Sequence, residues 1–374
     1  MSKQKKHIVQ SPRDLISNKY LFLSISLSVV ATGIVLYLTY TPEGFEHVRL
    51  KRMPGLVIAS VVMFLKIWFT AAKIRYLAEK RISWAGSFRI VLSWDFASAI
   101  TPSTIGGAPL GIYAMTREHI PLGQASAITF YTILLDQIFY LMVIPILIIA
   151  GLYLEIIPEA FGVFGKSAMA FVYLSLLGYG FVLAYGVLIN PFYLKRMVQA
   201  LFRLPVLRKH ADTIERELDN LVGTSETLRR KPFSFLAKAY GLAALAWMAR
   251  ASLPAIVVLS FLPADEVLLF FRSFAMSLAT LFMPTPGGSG GVEALFVIFL
   301  GPLFDREIFI GIATFMWRFI TFYTIIGIGI MVLSWYLNNS VVKSFRDSTE
   351  KSDESKTPDA APLNSNPQKQ GEEF

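Results

Sequence analysis

Asp95, Asp136, Arg250, Glu293 and Arg318 each fall inside a long apolar stretch of the sequence, as does Lys66. A charge placed in hydrocarbon must be paired, neutralised or turned toward water, so each residue is first a candidate for binding a ligand or handling a proton. Arg318 and Arg250 suit a phosphate, because the guanidinium fork binds two oxygens at once and stays charged in a poorly hydrated site. Glu293 suits the cationic part of a headgroup or a coupling proton, and Asp95 and Asp136 are the other acids available for either task. Structural pairs compete with these readings: Arg318 or Arg250 with Glu293, and Asp95 with a neighbouring Lys or Arg. Lys66 has the further option of snorkelling toward an interface.

Two Gly-rich, Pro-flanked turns interrupt apolar sequence and are the other feature able to hold a ligand. The first runs Thr101-Pro102 to Gly106-Gly107-Ala108-Pro109, and the second Pro284-Thr285-Pro286-Gly287-Gly288-Ser289-Gly290-Gly291. Such turns leave backbone N–H groups unpaired at the start of the helix that follows, where they accept an anionic phosphate or a capping carboxylate. Gly106, Gly107, Gly287, Gly288 and Gly290 are therefore candidate binding positions. Glu293 lies in the first turn after Gly291, where it caps the helix or meets a ligand.

Enzymatic chemistry finds less support. Cysteine is absent, which removes thiolate nucleophiles and thiolate metal sites, and His7, His47, His119 and His210 are too scattered to build a zinc site. Gly165-Lys166-Ser167 looks like the end of a phosphate-binding loop, but Ala160 occupies the required first Gly position. We expect no catalytic residue, no metal and no cofactor.

The elements that must position these residues follow from composition. Hydrophobic residues make up 54% of the 374-residue chain and charged ones only 16%, with mean hydropathy +0.54, more apolar side chain than a soluble core absorbs. The expected fold class is an all-α polytopic membrane protein. Apolar runs at about 20–40, 54–72, 122–151, 167–190, 235–262 and 307–336 are long enough to cross about 30 Å of hydrocarbon, giving six full spans. The first, preceded by Lys3, Lys5, Lys6, Arg13 and Lys19, reads as a retained span rather than a cleaved signal. Segments 87–115 and 267–300 are broken by the two turns, so each is expected to be a pair of half-helices.

Orientation follows from loop charge. The 73–89 connection (with Lys73, Arg75, Lys80, Arg81 and Arg89) and the 191–232 connection are basic and expected inside, while 152–166 and 262–266 carry Glu155, Glu159, Asp265 and Glu266 and fit outside. The first hairpin then enters and leaves from inside and the second from outside, making two oppositely oriented re-entrant hairpins. Residues 1–19 are expected to be cytoplasmic, 20–337 the membrane domain, and 338–374, rich in Ser, Asp, Lys, Asn and Pro, a disordered cytoplasmic tail. Apolar residues at helical spacing in 191–232 read as a helix lying on the inner surface. The net charge of +9 falls largely in cytoplasmic loops, where anionic lipid attracts it, and does not imply nucleic acid.

The broken segments align without gaps at an offset of 182 positions: Pro102 with Pro284, Ala97 with Ala279, Gly106 with Gly288, and Asp136 with Arg318. Each half, about 20–151 and 167–336, reads as span, span, hairpin, span. With the halves starting on opposite sides, this is an inverted-topology repeat, an architecture that recurs in secondary transporters.

The second turn, Met283-Pro-Thr-Pro-Gly-Gly-Ser-Gly-Gly-Val-Glu-Ala294, resembles the PxPGGxGxxE signature of the lysylphosphatidylglycerol synthase transmembrane, or flippase-like, family. Thr101-Pro-Ser-Thr-Ile-Gly-Gly-Ala-Pro-Leu-Gly-Ile-Tyr113 is similar to that family's partner motif TPxxxGGdxxRxY, with Ala108 and Gly111 at its acidic and Arg positions. The resemblance implies lipid translocation or handling of a lipid-linked headgroup, and the two departures put the substrate in question. The residues after the last span are expected to form only a short polar tail, so aminoacyl transfer by this chain alone is not expected.

The function expected from the sequence is a flippase-like transporter in the cytoplasmic membrane. Its partners are membrane lipids: an anionic or aminoacylated phospholipid, or a lipid-linked sugar. Such a transporter requires an amphiphile-sized cavity between the hairpins, lined by Glu293 and Arg318. The alternatives are an intramembrane transferase using Asp95, Asp136 or Glu293 as base, and an accessory subunit of a lipid synthase.

Overall fold

A computed structural model describes residues 18–40, 53–101, 107–159, 162–186, 190, 193, 222–304 and 307–336. Gly106, the 1–17 segment, the tail and most of the basic 191–232 connection lie outside the described residues. The chain divides into two units, Met1–Val332 and Leu333–Phe374. Of the second, Leu333–Tyr336 are described, and they are helical.

The described residues are mostly helical, with no strand among them. In order they form α1 (Asn18–Leu38), α2 (Met53–Leu77), α3 (Trp84–Ile100), α4 (Gly107–Arg117), α5 (Leu122–Ala150) and α6 (Gly162–Ala184). There follow α7 (Phe233–Leu259), α8 (Glu266–Ala279), α9 (Gly291–Leu300) and α10 (Glu307–Arg318), which continues through a π-helical turn, Phe319–Tyr323. Six stretches are long and apolar enough to cross a membrane: Leu21–Leu38, Pro54–Leu77, Leu122–Ala150, Phe233–Leu259, Pro286–Leu303 and Phe309–Tyr336. Five match the expected spans. The expected 167–190 span is helix α6, whose 23 residues, Gly162–Ala184, contain the apolar stretch Ala170–Val182. The remaining stretch, Pro286–Leu303, is apolar enough by composition, but its backbone is broken at Ser289 and Gly290.

Large apolar side chains such as Phe22, Tyr37, Phe64, Ile146, Phe181 and Met331 face outward. Large residues such as Phe96, Tyr131 and Phe296 are buried as well, but many of the inward positions are small or polar. On α1, Ser24, Ser28 and Thr32 lie four residues apart, share one face, and are all buried. Helices α2 and α7 pack along most of their length through Ala59 and Ala71 on one side and Ala239, Ala243 and Ala246 on the other. Small side chains let backbones approach where hydrocarbon supplies no hydrophobic drive between helices. The pair is antiparallel, since Gly55 at the start of α2 meets Ser260 just after α7, while Tyr76 near its end stacks on Phe235.

Both broken segments fold back on themselves. Ser83 caps α3, which ends where Thr101 turns extended (φ −104°, ψ 148°). Helix α4 then returns along it: Gly107 and Gly111 sit against Trp94, and Glu118 at the far end reaches Arg89 at 2.8 Å. In the second, Asp265 caps α8, the chain leaves the helix at Met283, and α9 returns against α8. The 182-residue offset reproduces element bounds: α2, α3 and α5 shifted by that amount fall on α7, on 266–282, and on α10 with its continuation.

The two tips meet. Gly287 N–H donates to Thr101 O at 3.3 Å. Gly287 is left-handed (φ 60°), and a Cβ there would run into the Ala99 carbonyl and the Phe322 ring. Gly287→Ala should therefore lower stability by about 1–3 kcal/mol through backbone strain and collision. Gly33→Ala, on open helix surface, should be neutral or slightly stabilising, by at most about 1 kcal/mol. Melting temperatures of the two purified variants check this; equal values would mean that the tip tolerates a side chain.

Candidate functional site

The second turn and the helix after it place Glu293 and Arg318 in contact. Arg318 Nε donates to Glu293 Oε1 at 2.8 Å, and both side chains are buried, Glu293 to 0% and Arg318 to 4% exposure. The other carboxylate oxygen, Oε2, accepts from the N–H of Gly290 at 2.8 Å, the reach-back of a third-position Glu to the residue that starts its helix. Ser28 Oγ of α1 donates to Oε1 at 2.9 Å and lies 3.1 Å from Tyr323 Oη. Arg318 Nη2 donates to Ser289 Oγ at 3.2 Å and to the Gly287 carbonyl at 3.5 Å, and its guanidinium lies 4.3 Å from the centre of the Phe322 ring. Ser289 Oγ in turn donates to the Ser24 carbonyl at 3.2 Å. Of the two competing pairs read from the sequence, Arg318–Glu293 is the one that forms.

A cavity of about 510 Å³ opens beside this pair. Its walls include Thr101, Thr285, Gly287 and Gly288 from the two tips, together with α2, α5, α7 and the Arg318 end of α10. Arg318 faces it, whereas Glu293 and Gly290 are not among its walls. The expectation that Glu293 lines the cavity is corrected here: three donors, from Gly290, Ser28 and Arg318, draw the carboxylate into the protein behind the guanidinium.

The other ionisable residues gather on the opposite wall. Lys66, Thr70 and Lys73 follow one another at four- and three-residue spacing, so α2 presents them on one face. Lys66 Nζ contacts Asp95 Oδ2 of α3 at 2.5 Å, and Lys73 Nζ contacts Asp136 Oδ1 of α5 at 2.6 Å. The lysine side chains are 9% and 2% exposed and the aspartates 20% and 21%, so the carboxylates are the more accessible members of both pairs. Lys66 is paired rather than snorkelling.

Lys73 is the residue that sequence reasoning missed, having been counted with the basic 73–89 connection. The structure carries α2 on to Leu77 and buries Lys73 to 1%. Its seven-residue spacing from Lys66 was the available signal. Arg250 of α7 also lines the cavity; its guanidinium lies 5.1 Å from the centre of the Trp247 ring, and it has no ion-pair partner among the described residues. Gly107 lies within α4, close against Trp94 and Ser98, and so serves helix packing. The described acids and imidazoles form no cluster able to hold a metal.

The buried pair carries a direct stability expectation. Glu293→Gln leaves an uncompensated guanidinium among buried atoms and should cost about 3–5 kcal/mol, as should Arg318→Met in the reverse sense. The double variant should lose less than the two singles together, because it leaves no lone buried charge. Thermal unfolding of the three proteins tests this, and strictly additive losses would mean that the two side chains are not coupled.

Comparison with known proteins places the chain among membrane proteins. A UPF0104 membrane protein of Archaeoglobus fulgidus is 23% identical over 335 residues, covering 86% of this chain and 97% of its own. The family described as the lysylphosphatidylglycerol synthase TM region matches residues 21–329, a stretch that contains both hairpins, all the ion pairs and the cavity. The protein is a multi-pass membrane protein, and it belongs to the lysylphosphatidylglycerol synthase TM region family.

Proposed function

We propose that this protein is a flippase-like transporter, not an enzyme, that moves a phospholipid or a lipid-linked headgroup across the cytoplasmic membrane. The observation that carries the reading is the cavity itself: a chamber of about 510 Å³ with ionised walls, enclosed by apolar helices where two hairpin tips meet. A packed membrane protein with no polar cargo gains nothing from keeping two aspartates partly accessible there, since intramembrane charge is costly.

The hairpins are read as re-entrant. Helices α4 and α9, of 11 and 10 residues, span only about 15–17 Å at 1.5 Å per residue, half of what a crossing needs. Helices α2 and α7, equivalent under the 182-residue offset, run antiparallel, as the second spans of an inverted repeat must. The headgroup would sit between the tips, touching Arg318, Arg250, Asp95 and Asp136, with its chains left among the lipid-facing helices. Glu293 then holds the second tip in shape and keeps Arg318 in position.

Two measurements test the reading. The chain contains no cysteine, so single cysteines can be introduced without a background. Labelling should reach the 78–83 loop, 191–232 and the tail only from inside, and 152–166 only from outside; labelling of 191–232 from outside would overturn the inverted repeat. Purified protein in liposomes should move at least one of a panel of labelled phospholipids faster than protein-free liposomes do. No acceleration with any lipid of the panel would sink the transport reading.

A further inference from the structure

The charges on the cavity wall do not balance. Four cations face it: Lys66, Lys73, Arg250 and Arg318. Asp95 and Asp136 answer the two lysines at 2.5 and 2.6 Å, and Glu293, behind the wall, answers Arg318 at 2.8 Å. Arg250 remains, with no carboxylate within ion-pair distance among the described residues. What holds it is aromatic: its guanidinium lies 5.1 Å from the centre of the Trp247 ring, three residues earlier on α7, and Trp247 is braced edge-on by Tyr140 at 4.7 Å. A ring face steadies a guanidinium without using up its five N–H donors, so the fork stays available for oxygens entering the chamber.

From this imbalance we propose that the cavity selects an anionic, phosphate-bearing headgroup and that Arg250 is the residue that recognises it. This rests on the lipid-transport reading above and adds the charge class of the cargo. A phosphate with one negative charge completes the neutralisation of the chamber and matches the guanidinium's two-point geometry. A net-positive headgroup, such as that of a lysyl-esterified phosphatidylglycerol, would meet both aspartates already engaged and an unmatched arginine repelling it. A zwitterionic headgroup falls between.

The test is binding to the full-length protein in a neutral detergent, with no translocation required. The protein is titrated with short-chain phosphatidylglycerol, phosphatidylcholine, lysylphosphatidylglycerol and, separately, sodium phosphate at matched ionic strength, and binding is read from the rise in melting temperature. Phosphatidylglycerol should bind about tenfold or more tightly than phosphatidylcholine, the ratio that one charge-assisted hydrogen-bonded contact supports, and lysylphosphatidylglycerol should bind least. Arg250→Gln should weaken phosphatidylglycerol binding more than phosphatidylcholine binding and so remove most of the preference, and Arg250→Lys should retain part of it. Equal binding of the anionic and zwitterionic lipids by the unaltered protein overturns the proposal even if no variant folds, as does an undiminished preference in Arg250→Gln. Sodium phosphate binding at the concentrations at which phosphatidylglycerol does would assign the site to free phosphate and overturn its lipid-borne source. Selective binding without translocation would leave this inference standing and defeat the transport reading, whereas translocation without charge preference would do the opposite.

Discussion

The Glu293–Arg318 contact carries more of this structure than its two residues suggest, because every atom that completes it comes from a different piece of the chain. Ser28 belongs to the first helix, Gly290 to a turn with left-handed backbone, and Arg318 to the last helix just before its π-helical turn. A carboxylate and a guanidinium removed from water are stable only when their remaining donors and acceptors are also met. The pair therefore fixes three elements at once, and once the second turn is pinned its glycines can meet the tip of the first hairpin at Thr101. The floor of the cavity is a result of that contact.

On the opposite wall the same physics has a looser form. Each lysine of α2 is held by one aspartate, and each aspartate keeps about a fifth of its side chain open. Positions that match under the 182-residue offset thus differ in how they treat charge. Asp136 and Arg318 occupy matching positions under the 182-residue offset, and so do Gly111 and Glu293. Where the second hairpin has an acid that locks it to the following helix, the first has a glycine packed on Trp94, and Asp136 turns instead to Lys73.

Much of this was legible in the sequence because membrane proteins write their architecture in long apolar runs. The positions of both chain breaks follow from Pro and Gly, and the depth of Glu293, Arg318, Arg250, Asp95 and Asp136 from the runs that contain them. Two points were not legible. Lys73 lies at the end of an apolar run, where residue type marks a loop, and only the continuation of α2 to Leu77 carries it inside. The withdrawal of Glu293 from the cavity depends on Ser28, 265 residues away, a contact that no local pattern announces.

That separation has a consequence for how the protein is made. Glu293 emerges from the ribosome 25 residues before Arg318, which at about 5–20 residues per second is an interval of roughly one to five seconds. During it the carboxylate has the turn's own N–H and Ser28 to lean on, but no positive charge. The first helix, synthesised long before, can already meet α3, where Ser24 Oγ donates to the Ala99 carbonyl at 2.6 Å, and gains the guanidinium's support for Glu293 only when the final helix arrives. The ion pair that locks the second turn is therefore completed only by the end of the membrane domain, so the earlier helices must stay in place without it until then.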